Sequence, residues 1–407
     1  MENIVGQQTK ETVLNNFLWR LFNCFFFVFV VTSAQGSFYI PYCVDGVLLS
    51  FTGILYAIFV PRAFLIIKLK NFIFLFCLIL LTVVVNFQYA NLGKWYLKII
   101  LIVNLFLLLG LRNIYKKNLI ENCSKALALC LIVSFATWCL VKLGVSLPYK
   151  VVVDDEETLE QTLYIFKDYF FFREFFYEYF NRYEFVRFQA FFLEPSTLGK
   201  VCLCFFIANN FNMQKWYVVV FLVMLVVSFS LATYLVLSVA LIIKIFLDKK
   251  IGKFFILFCS VFVILLTTYY TFPNDSPIHI HIFDRLFQDD KVELKYNRSS
   301  SEFDDFFYDV FLKSKYTLIG DREYMKSQQR VPSVDYKRFL VASGFIGAAS
   351  MLLFLVCCFC LFRSTNSCVM ICSYFILFLA SCHIWDYFVY IGTLTLSLNI
   401  EKRKKAI

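Results

Sequence analysis

Charge is what this chain has least of. Only 17% of its 407 residues are Asp, Glu, Lys or Arg, against 60% hydrophobic and 20% aromatic, where a soluble protein carries about a quarter charged. The usual motifs of soluble enzymes are missing too. There is no Gly-rich phosphate loop, no Gly-x-Ser-x-Gly and no His-Glu-x-x-His. There is no Asp-x-Asp, the usual mark of metal-dependent sugar-nucleotide chemistry, no internal repeat and no low-complexity linker. The 15 cysteines are scattered, mostly inside apolar runs where a thiol acts as a small hydrophobe. Cys357, Cys358 and Cys360 cluster without a histidine near them, so neither a metal nor a cofactor is expected.

What is present is apolar sequence in long runs, with a mean hydropathy of +0.71. The fold class this implies is an all-α polytopic membrane protein. Spans are expected near 16–34, 45–60, 71–87, 96–111, 124–145, 197–213, 254–271 and 339–362. Residues 24–34 loosely mimic a signal peptide, and an uncleaved first span is the better reading. Two further runs are too long for one crossing. Residues 216–247 would reach about 48 Å as one helix, against a hydrocarbon core of about 30 Å. Two crossings turning near Ser228–Ser230 keep Lys249, Lys250 and Lys253 on the basic side. By the same logic 368–399 folds back around His383–Asp386.

The net charge of +10 is unevenly spread. Segments 146–196 and 272–338 hold 22 of the 29 acidic residues and only 16 of the 39 basic ones, so they sum to −6 and the remainder to +16. That is the positive-inside pattern of a membrane protein rather than a nucleic-acid footprint. About twelve crossings, cytoplasmic termini and two large external loops follow. The chain divides into an N-terminal bundle (1–145), a first external loop (146–196), central helices (197–271), a second external loop (272–338) and C-terminal helices with a basic tail (339–407). Within the first loop, Leu159, Leu163, Phe166, Phe170, Phe175, Tyr179 and Val186 recur at helical spacing. An amphipathic helix lying in the interface is expected over 158–187.

The chemistry-bearing residues that remain are arginines, which grip phosphate oxygens through a fixed, permanently charged fork. Arg182 and Arg187 come from the first loop, and Arg285, Arg298, Arg322, Arg330 and Arg338 from the second. Arg182 equally suits headgroup contact. Arg322, Arg330 and Arg338 suit headgroups or solvent, and His279 and His281 suit a surface. Glu194, just before Pro195, reads either as a functional carboxylate or as a helix-start residue.

Arg187-Phe-Gln-Ala-Phe-Phe-Leu-Glu-Pro-Ser196, leading into a span, resembles the arginine-to-Glu/Asn-Pro signature of the O-antigen polymerase and ligase superfamily. The run with Ser228 and Ser230 is similar to that family's serine-containing break. Phe306–Gly320 resembles the loop segment before the family's glycine turn, and Val331–Gly347 its closing element. The likeness covers roughly 180–350, in order. It implies a GT-C-like, metal-independent glycosyltransferase in the bacterial inner membrane. That enzyme would transfer a growing glycan from undecaprenyl pyrophosphate to a lipid-linked repeat unit at the periplasmic face. A chain-length regulator is the partner implied, beside membrane lipids. On the family pattern the catalytic residues are Arg187, Glu194 and Arg298. Arg182, Arg285, Arg322, Asp335 and Tyr336 contact substrate. Ser333 stands where the ligases carry histidine, while Asp335 with Tyr336 suits a polymerase. The ligase activity and a lipid-linked oligosaccharide flippase are the alternatives.

Overall fold

The computed structural model describes residues 2–33, 42–60, 68–86, 92–154, 161–166, 172–176, 187–192, 194–249, 267, 270–271, 301–321, 324, 336–381 and 388–398. Twelve α-helices lie among them: α1 (Glu2–Val31), α2 (Tyr42–Phe59), α3 (Leu69–Asn86), α4 (Leu92–Gly110), α5 (Asn113–Lys142), α6 (Pro195–Ala208), α7 (Trp216–Val227), α8 (Leu231–Leu247), the short α9 (Ser301–Asp305), α10 (Tyr336–Leu361), α11 (Thr365–Ala380) and α12 (Phe388–Ser397). Of these, α5 and α10 are long and apolar enough to cross a membrane. The span expected near 254–271 lies almost wholly outside the described residues, as do the turn 382–387 with His383 and Asp386, and the basic tail.

The helices alternate in direction, and side-chain contacts show it. At one end Lys70, at the start of α3, lies 5.1 Å from the Phe362 ring just past α10. Asn71 reaches the Leu109 carbonyl at the end of α4. Glu121, early in α5, pairs with Lys215 at 3.3 Å, just before α7. Ser367 of α11 donates to the carbonyl of Ser397, at the end of α12, at 3.3 Å. This end gathers Lys68, Lys70, Arg112, Lys116, Lys117, Lys215 and Lys244, and is called the basic end. The other is the loop end. The fold-back expected in 368–399 is therefore present, since α11 begins where α12 finishes.

The break in 216–247 also falls where expected. Helix α7 stops at Val227 and α8 begins at Leu231, with Phe229 between them at φ 45°. Lys244 Nζ, late in α8, donates to Asn210 Oδ1 at 2.8 Å in the loop between α6 and α7. The chain has thus returned to the level it left, so α7 and α8 form a hairpin.

The first loop is a correction. In place of one amphipathic helix over 158–187, the described residues form an antiparallel sheet of β1 (Lys150–Asp154), β2 (Gln161–Phe166) and β3 (Phe172–Phe176). Val152 pairs with Leu163, and Leu163 in turn with Phe175. The reason lies in residue type. Val151-Val152-Val153, Tyr164-Ile165-Phe166 and Phe175-Phe176 are β-branched and aromatic, and such residues favour a pleated ladder. In so apolar a stretch the helical positions were filled whichever period the chain followed.

Helix α10 has a break of its own. Gly344 sits at φ 66°, ψ −173° inside an otherwise helical run, a conformation open only to glycine. The backbone groups freed there are satisfied by the segment before the helix. Asp321 N–H donates to Val341 O at 2.7 Å, and Ile346 N–H to Leu318 O at 3.1 Å. Phe303, Phe307, Phe311 and Val341 close a small apolar core beneath that segment.

Candidate functional site

The signature stretch forms a buried turn that feeds α6 at the loop end. Phe188 wedges against α5, its ring 5.3 Å from Phe135 and 5.7 Å from Trp138. Ala190 takes φ 53° and Phe192 N–H closes onto Gln189 O at 3.1 Å. Phe188 through Phe192 are buried. This apolar plug fixes the charged residues on either side of it.

Arg187 is half-buried, and its Nη1 points to the carbonyl oxygen of Phe229 at 3.4 Å. That distance is at the long end for a hydrogen bond, and the contact orients the guanidinium toward the α7–α8 break. The acceptor lies in the α7–α8 break, which its own hydroxyls hold. Ser228 Oγ donates to Leu225 O at 2.7 Å, Thr233 Oγ1 donates to Ser230 Oγ at 2.8 Å, and the Tyr234 hydroxyl donates to Val226 O. Helix α6 approaches this break closely. A Cβ on Gly199 would lie 2.8 Å from both Ser228 Oγ and Thr233 Oγ1.

Glu194 is the N-cap of α6, with extended backbone (φ −137°, ψ 148°) and Pro195 following it. Its carbonyl accepts from Thr197 and Leu198 at 3.0 and 3.2 Å. Its carboxylate is exposed and accepts from the Ser196 hydroxyl at 2.7 Å. The helix-start reading is thus correct for the Glu194 backbone, while the carboxylate makes no cap hydrogen bond and stays exposed.

Two polar residues here went unmarked in the sequence. Lys200, one position beyond Gly199, is 7% exposed and donates to Ser381 Oγ, at the end of α11, at 3.0 Å. The available signal was a cation inside the apolar run 197–213, since ionisable residues at that depth are usually functional. Gln189 is fully buried with neither carboxamide atom hydrogen-bonded, and a single Gln among aromatics carries no pattern that would single it out.

The closing element, Val331–Gly347, stands at the same end. Phe339, early in α10, packs edge-on to Phe378 at 4.9 Å, and Phe378 lies just before Ser381, the partner of Lys200. Phe306–Gly320 docks on this closing element by backbone contact. A Cβ on Gly320 would stand 2.6 Å from the Ala342 carbonyl oxygen. Beside them Lys337 Nζ pairs with Asp304 Oδ1 at 2.8 Å, with side chains 11% and 21% exposed, and lies over the Tyr308 ring at 5.0 Å. Tyr336 opens α10 and is exposed. Arg182, Arg285, Arg298, Arg322, Arg330 and Asp335, with His279 and His281, lie outside the described residues. No protein-family model, curated protein or solved structure matches the chain.

Proposed function

We propose that the protein is a membrane-embedded glycosyltransferase that polymerises a surface polysaccharide, as the resemblance to O-antigen polymerases implies. The observation that supports this most is the seating of Arg187. A permanently charged fork points to a carbonyl in a helix break, beside the N-terminus of α6 and at the end where Phe306–Gly320 docks on α10. In this reading the bundle crosses the inner membrane about twelve times with the basic end and both termini inward. The loop end then faces the periplasm.

The reaction is a displacement at an anomeric carbon. A hydroxyl oxygen of the lipid-linked repeat unit attacks that carbon. The bond to undecaprenyl pyrophosphate breaks, and the leaving group keeps the electron pair. Arg187 stabilises the charge that develops on the pyrophosphate, joined by Arg298 and the substrate contacts Arg182, Arg285 and Arg322. Glu194, exposed at the mouth of α6, takes the proton from the attacking hydroxyl. Asp335 and Tyr336 position the acceptor. A chain-length regulator acts alongside.

The test is Arg187→Ala and Arg187→Lys, each checked for membrane expression and scored by the length ladder of surface polysaccharide. Both are expected to lose the ladder while a single repeat stays attached to the core, because lysine keeps the charge without the bidentate geometry. A wild-type ladder in both rejects the site. Loss of all attached glycan points to a ligase or a flippase.

A further inference from the structure

We propose that the docked segment Phe306–Gly320 is seated in the bilayer, with Leu318 at the boundary between acyl chains and headgroups of the loop-end leaflet. The proposal rests on the reading that α10 crosses a membrane, and is independent of the glycan chemistry. Leu318 docks through its backbone, its carbonyl accepting from Ile346 N–H at 3.1 Å. Its side chain is 62% exposed. One exposed leucine means little by itself. The surface it continues gives it meaning.

Beyond the Gly344 kink, α10 exposes Phe345, Ile346, Leu352, Leu353, Val356 and Phe359 at helical spacing, while Phe354 and Cys358 face inward and are buried. No charged residue lies between Phe339 and Leu361. An exposed stripe of this kind suits acyl chains rather than water. The bond to Ile346 sets Leu318 at the upper end of that stripe, so the loop segment extends the apolar surface of the helix. Helix length then places the boundary. Arg363, exposed just after α10, marks the basic end. A hydrocarbon core of about 30 Å takes roughly 20 residues of helix. Counted back from Phe362, that reaches Ala342, beside the kink and Leu318. The Lys337–Asp304 pair at 2.8 Å falls just outside the core.

The composition of the segment fits that level. Phe303, Phe307 and Phe311 turn inward with Val341, which fixes one side of it to the protein. The other side exposes Tyr308 and Tyr316 with Lys313 and Lys315, and Lys315 Nζ lies 5.2 Å from the Tyr316 ring. Tyrosine and lysine anchor at a membrane interface because each has an apolar body and a polar tip. Asp309 pairs with Lys313 at 3.0 Å, with side chains 72% and 70% exposed. That pair is the edge that meets water.

Depth-dependent quenching tests this. Dansylalanine replaces Leu318, Leu353 or Asp309, one at a time, in the full chain reconstituted into phosphatidylcholine vesicles. The acyl chains carry bromine either near the headgroup or near the bilayer centre, and iodide is the quencher in water. All three side chains are exposed, and Leu318 docks through its backbone, so the replacements leave the docking contacts in place. The probe at 353 lies roughly half-way across the core and should lose most emission to deep bromine. The probe at 318 should lose more to shallow bromine than to deep, and the probe at 309 most to iodide. If 353 responds to bromine while 318 responds only to iodide, the segment faces water and the proposal is overturned. A probe at 318 that neither quencher reaches is covered by protein, which also overturns it. If bromine leaves the probe at 353 untouched, α10 does not cross the bilayer and both readings fall together.

Discussion

Gly344 and Leu318 meet backbone to backbone: a Cβ placed on Gly344 would lie 2.2 Å from the Leu318 carbonyl oxygen. The contact joins the loop segment to the kink in α10, and the two hydrogen bonds beside it satisfy groups that the kink exposes. Gly344→Ala should therefore cost at least about 3 kcal/mol, from strained backbone and overlap together. Gly144→Ala is the control. It shares a positive φ, 89°, but has nothing within 4 Å, so only the strain of about 1 kcal/mol applies. Thermal unfolding in detergent distinguishes the two, and equal losses would mean the docking contributes nothing.

Gly199 offers a second close approach, this time between side-chain oxygens. Gly199→Ala should destabilise by about 1–3 kcal/mol, because α6 cannot move away from the α7–α8 break without disturbing Arg187. Ser228→Ala removes one of the two opposing hydroxyls and should restore part of the loss. A double-mutant cycle on unfolding midpoints measures this. Additive effects would place α6 farther from the break than the 2.8 Å approach implies.

The buried pair beside the docked segments makes an asymmetric prediction. Lys337→Met removes the cation 2.8 Å from the Asp304 carboxylate, which is 21% exposed, and should cost about 3 kcal/mol. Changing both, Lys337→Met with Asp304→Leu, should cost less than the single change, since no charge is stranded. Protease resistance of the 301–361 region, compared across the set, reads the difference. A double variant weaker than Lys337→Met would show that the pair is more than a mutual neutralisation.

What the sequence disclosed and what it hid divide along physical lines. Apolar runs bounded by lysine and arginine located the helices, and run length against bilayer thickness located both fold-backs, one of them at Ser228–Ser230. The docking of Phe306–Gly320 on Val331–Gly347 was not read from the sequence, and the close approaches at Gly320 and Gly344 supply its cause. The sheet over 150–176 was hidden because aromatics fill helical and strand positions alike, so periodicity cannot discriminate there. Gly344 reads as one glycine in an apolar helix until its φ is known. Gln189 is conspicuous only through its burial without partners. Of the residues expected to be catalytic, Arg187 reaches the Phe229 carbonyl in the α7–α8 break, and Glu194 is the N-cap of α6 with its carboxylate accepting from Ser196.

Lys200 gives the prediction that best separates fold from function. Its burial against Ser381 ties α6 to α11 at the end where Arg187 and the start of α10 also lie. If its role is structural, Lys200→Met should lower the unfolding midpoint. If the charge is kept for the reaction, the same variant should fold as well as wild type or better, because replacing a buried charge with a matched hydrophobe is often neutral or stabilising. The polysaccharide ladder should then be lost, and Lys200→Arg should restore it in part. We expect the second pattern, since a cation seven-hundredths exposed in an apolar helix is costly to keep for packing alone. A lowered midpoint together with an intact ladder would return Lys200 to a purely structural role.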